Sequence, residues 1–230
     1  MIYVVNHCQT STFAQQKKYA MKYLIFLVLP LLVIACDQAK KTKPVTAPAE
    51  TGAGLDPFDL ASYTFENVPG SDIQMAVKKS EEGVIREMGN ALNGKRVGTW
   101  TLYGKDPVRP RKIVNYVDGK KNGVYIEMNE AGSIDIIAHF KDNKLHGSWA
   151  KYRFGRPLET AEYQNGELHG PQREFQIRDG KIIREANYKN GKLDGPFKHF
   201  NDKGEVTLQY EYKDGVKTGE GVLHPKDSIR

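Results

Sequence analysis

Apolar and polar side chains alternate along the chain in short runs. Ile134, Ile136, Ala138 and Phe140 occupy every second position without a break, the period that lines one face of a β-strand. Such runs end in Asn or Asp followed by Gly, or by Asn in one copy: residues 93–94, 118–119, 142–143, 165–166, 190–191 and 214–215. That dipeptide between apolar runs is the strongest short-range signal for a β-hairpin, because both turn residues must accept positive φ. Counted back from the second turn residue, the third position is Tyr116, Phe140, Tyr163, Tyr188 and Tyr212, and the fifth is Val114, Ala138, Ala161, Ala186 and Tyr210. The ninth is Ile134, Pro157, Ile182 or Val206. Odd offsets share parity, so these columns are expected on one face of the strand entering each turn.

A second glycine follows four residues later in every copy: Gly98, Gly123, Gly147, Gly170, Gly195 and Gly219. Steps of 25, 24, 23, 25 and 24 residues separate them, and a period held that closely marks a repeat architecture. The turns themselves hold Gly94, Gly119, Gly166, Gly191 and Gly215, and the second set predicts another positive-φ position or a bulge. A further glycine eleven before the turn, at Gly132, Gly155, Gly180 and Gly204, marks the opposite tip of each hairpin. The expected fold is all-β, an elongated antiparallel meander of stacked hairpins over residues 93–225. Residues 58–92 read as a cap with a degenerate first repeat, and 226–230 as a tail.

The strand leaving each turn carries rings two and five places past the second glycine: Trp100 with Tyr103, Trp149 with Tyr152, Phe197 with Phe200. Tyr125 is followed by Met128 on the same plan, while Gln172 breaks it before Phe175. A spacing of three sends the two side chains to opposite faces unless a bulge intervenes. Two readings follow. The rings are core, or Trp100, Tyr103, Tyr125, Trp149, Tyr152, Phe197 and Phe200 line an exposed groove that binds a partner. Residues 104–111, with two prolines that cannot donate to a ladder, interrupt the first repeat as a loop.

The N-terminus follows different rules. Residues 23–35 are apolar, too few to span a bilayer at roughly 20 residues. With Lys17, Lys18 and Lys22 before them, they match the core of a signal peptide over residues 1–35, in which Met21 is the better start. The run closes on Val33-Ile34-Ala35-Cys36, which resembles the lipobox of bacterial lipoproteins. That resemblance implies lipidation of Cys36 and attachment to a membrane. Cys8 is then lost with the leader, so no intrachain disulfide forms. Residues 36–57 lack a hydrophobic pattern and read as a flexible, disordered tether.

Charge adds little. The net +6 falls by three on removal of the leader lysines, too modest a balance to argue for nucleic acid. Basic residues cluster at the turns, at Lys95, Arg96, Lys120, Lys121, Lys144, Lys192 and Lys217. Stacked hairpins would align them along one edge, either as a ridge for anionic partners or as a solvated edge that discourages aggregation.

Taken together, Gly191, Lys192, Gly195, Phe197 and Phe200, and likewise Gly94, Lys95, Gly98, Trp100 and Tyr103, give a pattern that resembles the MORN repeat in its longer bacterial form. The resemblance covers roughly residues 83–224 and departs at Glu167 and Gln172. It implies stacked hairpins in a twisted sheet used as a scaffold or binding surface. Many bacterial relatives carry an antitoxin label, which brings no motif residues with it.

No nucleophile motif, phosphate loop or metal signature stands out, so no catalytic residue, cofactor or metal ligand is assigned. His146 and His169 occupy equivalent turns about 10 Å apart, too far to share one ion. The chain reads as a lipid-anchored protein of the bacterial cell envelope, facing the periplasm or the exterior. Its sheet is expected to bind a protein partner or another envelope component without catalysis. The alternatives are an antitoxin-like inhibitor of a partner protein, or the accessory platform of an enzyme.

Overall fold

The computed structural model describes residues 58–105 and 109–223. The expected signal peptide, Cys36 and the expected tether, together with residues 106–108 and 224–230, lie outside them. The described part is one antiparallel sheet of fifteen strands, laid down in chain order. A 3-10 turn at Leu60–Ser62 leads into β1 (Thr64–Asn67), β2 (Gln74–Lys79) and β3 (Ile85–Leu92). The regular array follows as β4 (Lys95–Tyr103), β5 (Pro110–Val117), β6 (Lys120–Met128), β7 (Ile134–Lys141), β8 (Lys144–Arg153) and β9 (Arg156–Gln164). It continues with β10 (Glu167–Leu168), β11 (Gly170–Phe175), β12 (Ile182–Lys189), β13 (Lys192–Phe200), β14 (Val206–Lys213) and β15 (Val216–Leu223). Every one of these strands pairs within the compact unit Glu50–Arg230.

The turns are what their residues require. All six Asn or Asp openers have φ between 49° and 54°, and the residue after each is also positive, including Asn143 at 67°. From the second turn onward, the second residue of the turn uses its N–H to reach the previous repeat. Gly119 donates to Arg96 O (2.9 Å), Asn143 to Lys121 O (3.0 Å), Gly166 to Leu145 O (2.8 Å), Gly191 to Leu168 O (2.9 Å) and Gly215 to Leu193 O (2.8 Å). Any residue able to hold the turn can supply that N–H, so Asn143 serves as well as glycine.

Beyond the turn, the outgoing strand carries two residues more than the incoming one. Tyr116 pairs with Lys121 but Val114 pairs with Tyr125, and the same jump recurs between β7 and β8 and between β12 and β13. The second glycine sits in this bulge at positive φ every time. It also lies opposite the ring of the next incoming strand: Gly98 against Tyr116, Gly123 against Phe140, Gly147 against Tyr163, Gly170 against Tyr188, Gly195 against Tyr212. A side chain there would be strained, and at Gly123 and Gly170 its Cβ would come within 3.3 and 3.2 Å of neighbouring side chains.

At the opposite tips the incoming strand has one extra residue. Lys151 pairs with Glu159 but Tyr152 pairs with Pro157, and Glu174 with Arg184 but Phe175 with Ile182. This corrects the one-face reading of the columns. Offsets three, five and seven share a face, whereas the bulge turns the ninth (Ile134, Pro157, Ile182, Val206) to the other. Cations lace these tips together. Arg86 donates to Gly104 O, Arg109 to Ala131 O (3.3 Å), Arg156 to Ile177 O (2.9 Å) and Lys181 to Asp202 O.

One row of side chains crosses the whole sheet as its core. It runs Phe65, Ala76, Gly89, Trp100, Val114, Tyr125, Ala138, Trp149, Ala161, Gln172, Ala186, Phe197, Tyr210, Gly221. Through the middle, each large side chain lies between two small ones. A Cβ on Gly89 would fall 2.4 Å from the Trp100 ring, and one on Gly221 would fall 2.1 Å from the Tyr210 ring. The first end is closed by Phe58 and Tyr63, which meet Trp100 edge-on at 5.3 and 5.6 Å. Arg96 lies against Phe58, Trp100 and Tyr116 within the same cluster.

Replacing Gly191 and Gly195 together with Val forces β-branched residues to φ of +74° and +107°, at about 1–3 kcal/mol each. The variant is expected to lose the last two repeats, seen as reduced β-sheet circular dichroism and a lower melting temperature. Unchanged spectra and melting would refute the turn assignment.

Candidate functional site

The two faces differ in what they leave available. On the core face, a mostly charged row runs beside the aromatic row: Lys78, Glu87, Lys112, Glu127, Lys151, Glu159, Glu174 and Arg184, interrupted by Leu102 and Ile136. Lys78 and Glu87 approach to 3.9 Å, Lys112 and Glu127 to 3.8 Å, and Arg184 pairs closely with Glu174. Tyr63 donates to Glu87 at 2.6 Å. Burial, and then that hydrogen bond, push its phenol up to about 12.

A buried polar knot forms where Gln172 takes the place of a ring. Gln172 is 2% exposed and donates from Nε2 to Glu159 Oε1 at 2.7 Å, while its own Oε1 has no partner. Glu159 and Arg184 are buried beside it. Burial raises the Glu159 carboxyl above the ordinary range, partly offset by the Gln172 hydrogen bond, and neighbouring Glu174 adds to the rise. No ligand needs to be invoked: an aromatic column has one polar member, and its neighbours solvate it incompletely.

The other face carries a half-exposed apolar row, Ile113, Ile126, Ile137 and Ala150, paired strand to strand. Beside it lie Tyr103, Tyr152, Phe175 and Phe200, also half-buried. Across β8, β9 and β11 this face dips into a shallow depression of about 250 Å³. Its walls include Ile137, Ala150, Tyr152, Thr160, Pro171 and Arg173, with Glu162 at one side. Arg173 is held by Glu185 at 2.6 Å, whereas no salt bridge holds Glu162 among the described residues.

The expected row of binding rings therefore divides. Trp100, Tyr125, Trp149 and Phe197 are buried in the core row, so their reading as an exposed groove is corrected. Their partners at a spacing of three, Tyr103, Tyr152 and Phe200, emerge on the opposite face; Tyr103 reaches Met88 there, 3.6 Å from its sulfur. The basic ridge is also reduced. Lys95 pairs with Asp118 at 2.7 Å and Lys120 with Asp142 at 3.7 Å. Arg96 and Lys121 turn inward over rings. Among the described residues no group of three His, Cys, Asp or Glu side chains converges on one point. His146 instead accepts weakly from Asn165 N–H at 3.4 Å. Sequence reasoning passed over Glu159 and Arg184, although both stand in the column seven before the turn beside Glu87 and Lys112. It also passed over Phe154, which opens a two-residue tip between β8 and β9 and is 81% exposed.

No family model matches the chain, and no curated protein matches it. Among solved structures, a mutant of S. aureus TarM in complex with fondaparinux, α-GlcNAc-glycerol and UDP aligns with 50% of this chain and 20% of its own, at 11% identity and a TM-score of 0.26. A likeness of that size carries no argument about fold or activity.

The polar knot predicts a pH signature. A carboxyl whose folded pKa lies above its unfolded value favours folding below about pH 4.3, and that contribution is lost as pH rises through the folded value. Urea unfolding of Glu159→Gln, in which nothing ionises, should therefore match wild type near pH 4 and exceed it increasingly toward pH 7. A gap of the opposite sign would show that Glu159 is stabilised as the anion, and no gap would show that folding leaves its ionisation unchanged.

Proposed function

We propose that the protein is a lipid-anchored binding or scaffold protein of the bacterial envelope, built from MORN-like repeats and tethered through Cys36. The observation that supports this is the asymmetry of the sheet. One face is used up by its own aromatic core and charge ladder. The other presents the Ile113–Ile126–Ile137–Ala150 row, flanked by Tyr103, Tyr152 and Phe200, half open to solvent over several strands. A contiguous apolar row of this kind, rimmed by polar groups such as Thr160, Glu162 and Arg173, suits a protein contact. The residues lining the depression include none of 58–92 and none of the described residues of 104–111, where the platform reading put its chemistry.

Two variants test the two halves of the proposal in the native envelope. Full-length protein, Cys36→Ser and Ile126→Glu are cross-linked in cells, and co-purifying proteins are identified. Wild type is expected to recover one specific partner from the membrane fraction. Cys36→Ser should leave that fraction, and Ile126→Glu should stay in it, folded, with the partner lost by tenfold or more. A Cys36→Ser protein that fractionates as wild type removes the anchor. Retention of the partner by Ile126→Glu removes this face as the contact.

A further inference from the structure

The two margins of the sheet are finished differently. At the first, β1 is only four residues long, and Phe58 and Tyr63 fold over Trp100. A short edge strand and a cover are common means of keeping other strands away. At the last, β15 is eight residues long, no described strand lies beyond it, and Val216, Val222 and Leu223 are exposed. It contains no proline, and its lysine does not guard the edge: Lys217 lies inward over the Tyr210 ring at 3.8 Å.

The array itself shows five times what such an edge receives. β15 repeats the plan of the outgoing strands that follow the earlier turns. Their glycines Gly98, Gly123, Gly147, Gly170 and Gly195 each face a Tyr or Phe of an arriving antiparallel strand. The carbonyls of Arg96, Lys121, Leu145, Leu168 and Leu193 each accept from the next turn. Lys217 is the sixth residue of that series and Gly219 the sixth glycine, and among the described residues neither has a partner across the edge. Next to them, Glu220 is exposed and holds no salt bridge among the described residues, and Gly221 puts no ring in the core row. We propose that β15 takes up an extended segment of another protein as an added antiparallel strand. The side chains of that segment follow from the pairing: Tyr or Phe opposite Gly219, Lys or Arg opposite Glu220, and a large apolar residue opposite Gly221. Read along the segment, the pattern is large apolar, basic, aromatic. The edge is separate from the Ile113–Ile126–Ile137–Ala150 face, so its failure leaves the scaffold proposal standing.

The probe is a labelled peptide with the sequence of residues 206–215 carrying Glu211→Lys, which sets Tyr, Lys and Tyr against Gly221, Glu220 and Gly219. Fluorescence anisotropy with the full chain in detergent should show saturable binding. Tyr212→Ala in the peptide should weaken it by about tenfold or more, and so should Lys217→Pro in the protein. That proline removes an N–H that faces the open edge, as the N–H of the equivalent Lys121 faces Asn143. It should therefore leave β15 paired with β14 and the circular dichroism unchanged, and Lys217→Ala should bind as wild type. Glu220→Lys, which touches no backbone group, should reverse the preference in favour of the peptide that keeps Glu211. Absence of saturable binding, or binding that ignores Tyr212→Ala, Lys217→Pro or the charge reversal, would overturn the proposal. So would protection of residues 216–223 from hydrogen exchange before peptide is added, which would show the edge already covered by a second copy or by the chain itself.

Discussion

A large ring can lie down on a single sheet only where the strands on either side leave room for it. That constraint sets most of what is seen here. Trp149 lies between Ala138 and Ala161, and Tyr125 between Val114 and Ala138. Among the described residues neither Trp149 nor Tyr125 has a second layer to bury it, so its neighbours on the same sheet do so. The hydrophobic gain belongs to pairs of adjacent strands, and no hairpin can collect it alone. This is why the period is held so closely. A hairpin of the wrong length would slide rings against rings.

The bulges serve the same end. Two extra residues after each turn and one after each opposite tip keep the size alternation in register, while the spacing of three sends the next ring, Tyr103 or Tyr152, to the other face. Backbone bonds from turn to turn and cation bonds from tip to tip then hold neighbouring hairpins at both margins. The core face is thereby closed by its own side chains. The second face keeps only a partial cover.

The fold was legible because it depends on residues with few alternatives. Asn-Gly and Asp-Gly announce positive φ, and glycines at a fixed offset announce the bulges, so the meander could be read from turns alone. Facing was harder to read. The ninth column changes sides because one residue, such as Leu158, is inserted between Pro157 and Glu159 in the pairing, and parity counting cannot see an insertion that leaves the spacing to the turn unchanged. The aromatic pairs were ambiguous for the same reason: Trp100 and Tyr103 are alike in type and differ only in which side of the strand they leave. The polar knot was visible in outline as the missing ring at Gln172. Its members were not, since Glu159 and Arg184 meet Gln172 across strands whose registers the bulges set. Phe154 gives no compositional signal, because only its backbone angle makes it unusual.

The order of sizes in the core row also bears on how long such a protein can be. Through the middle the order is small, large, small. At the last strands it becomes Ala186, Phe197, Tyr210, Gly221, with two rings side by side and a glycine outermost. A further hairpin copied from the interior would bring an alanine against Gly221, the contact that Ala76 and Gly89 already make at the first strands. Side-chain size therefore sets no limit on duplication, either inside the array or at this margin. What the phase of large and small side chains fixes is the register in which a new hairpin would dock.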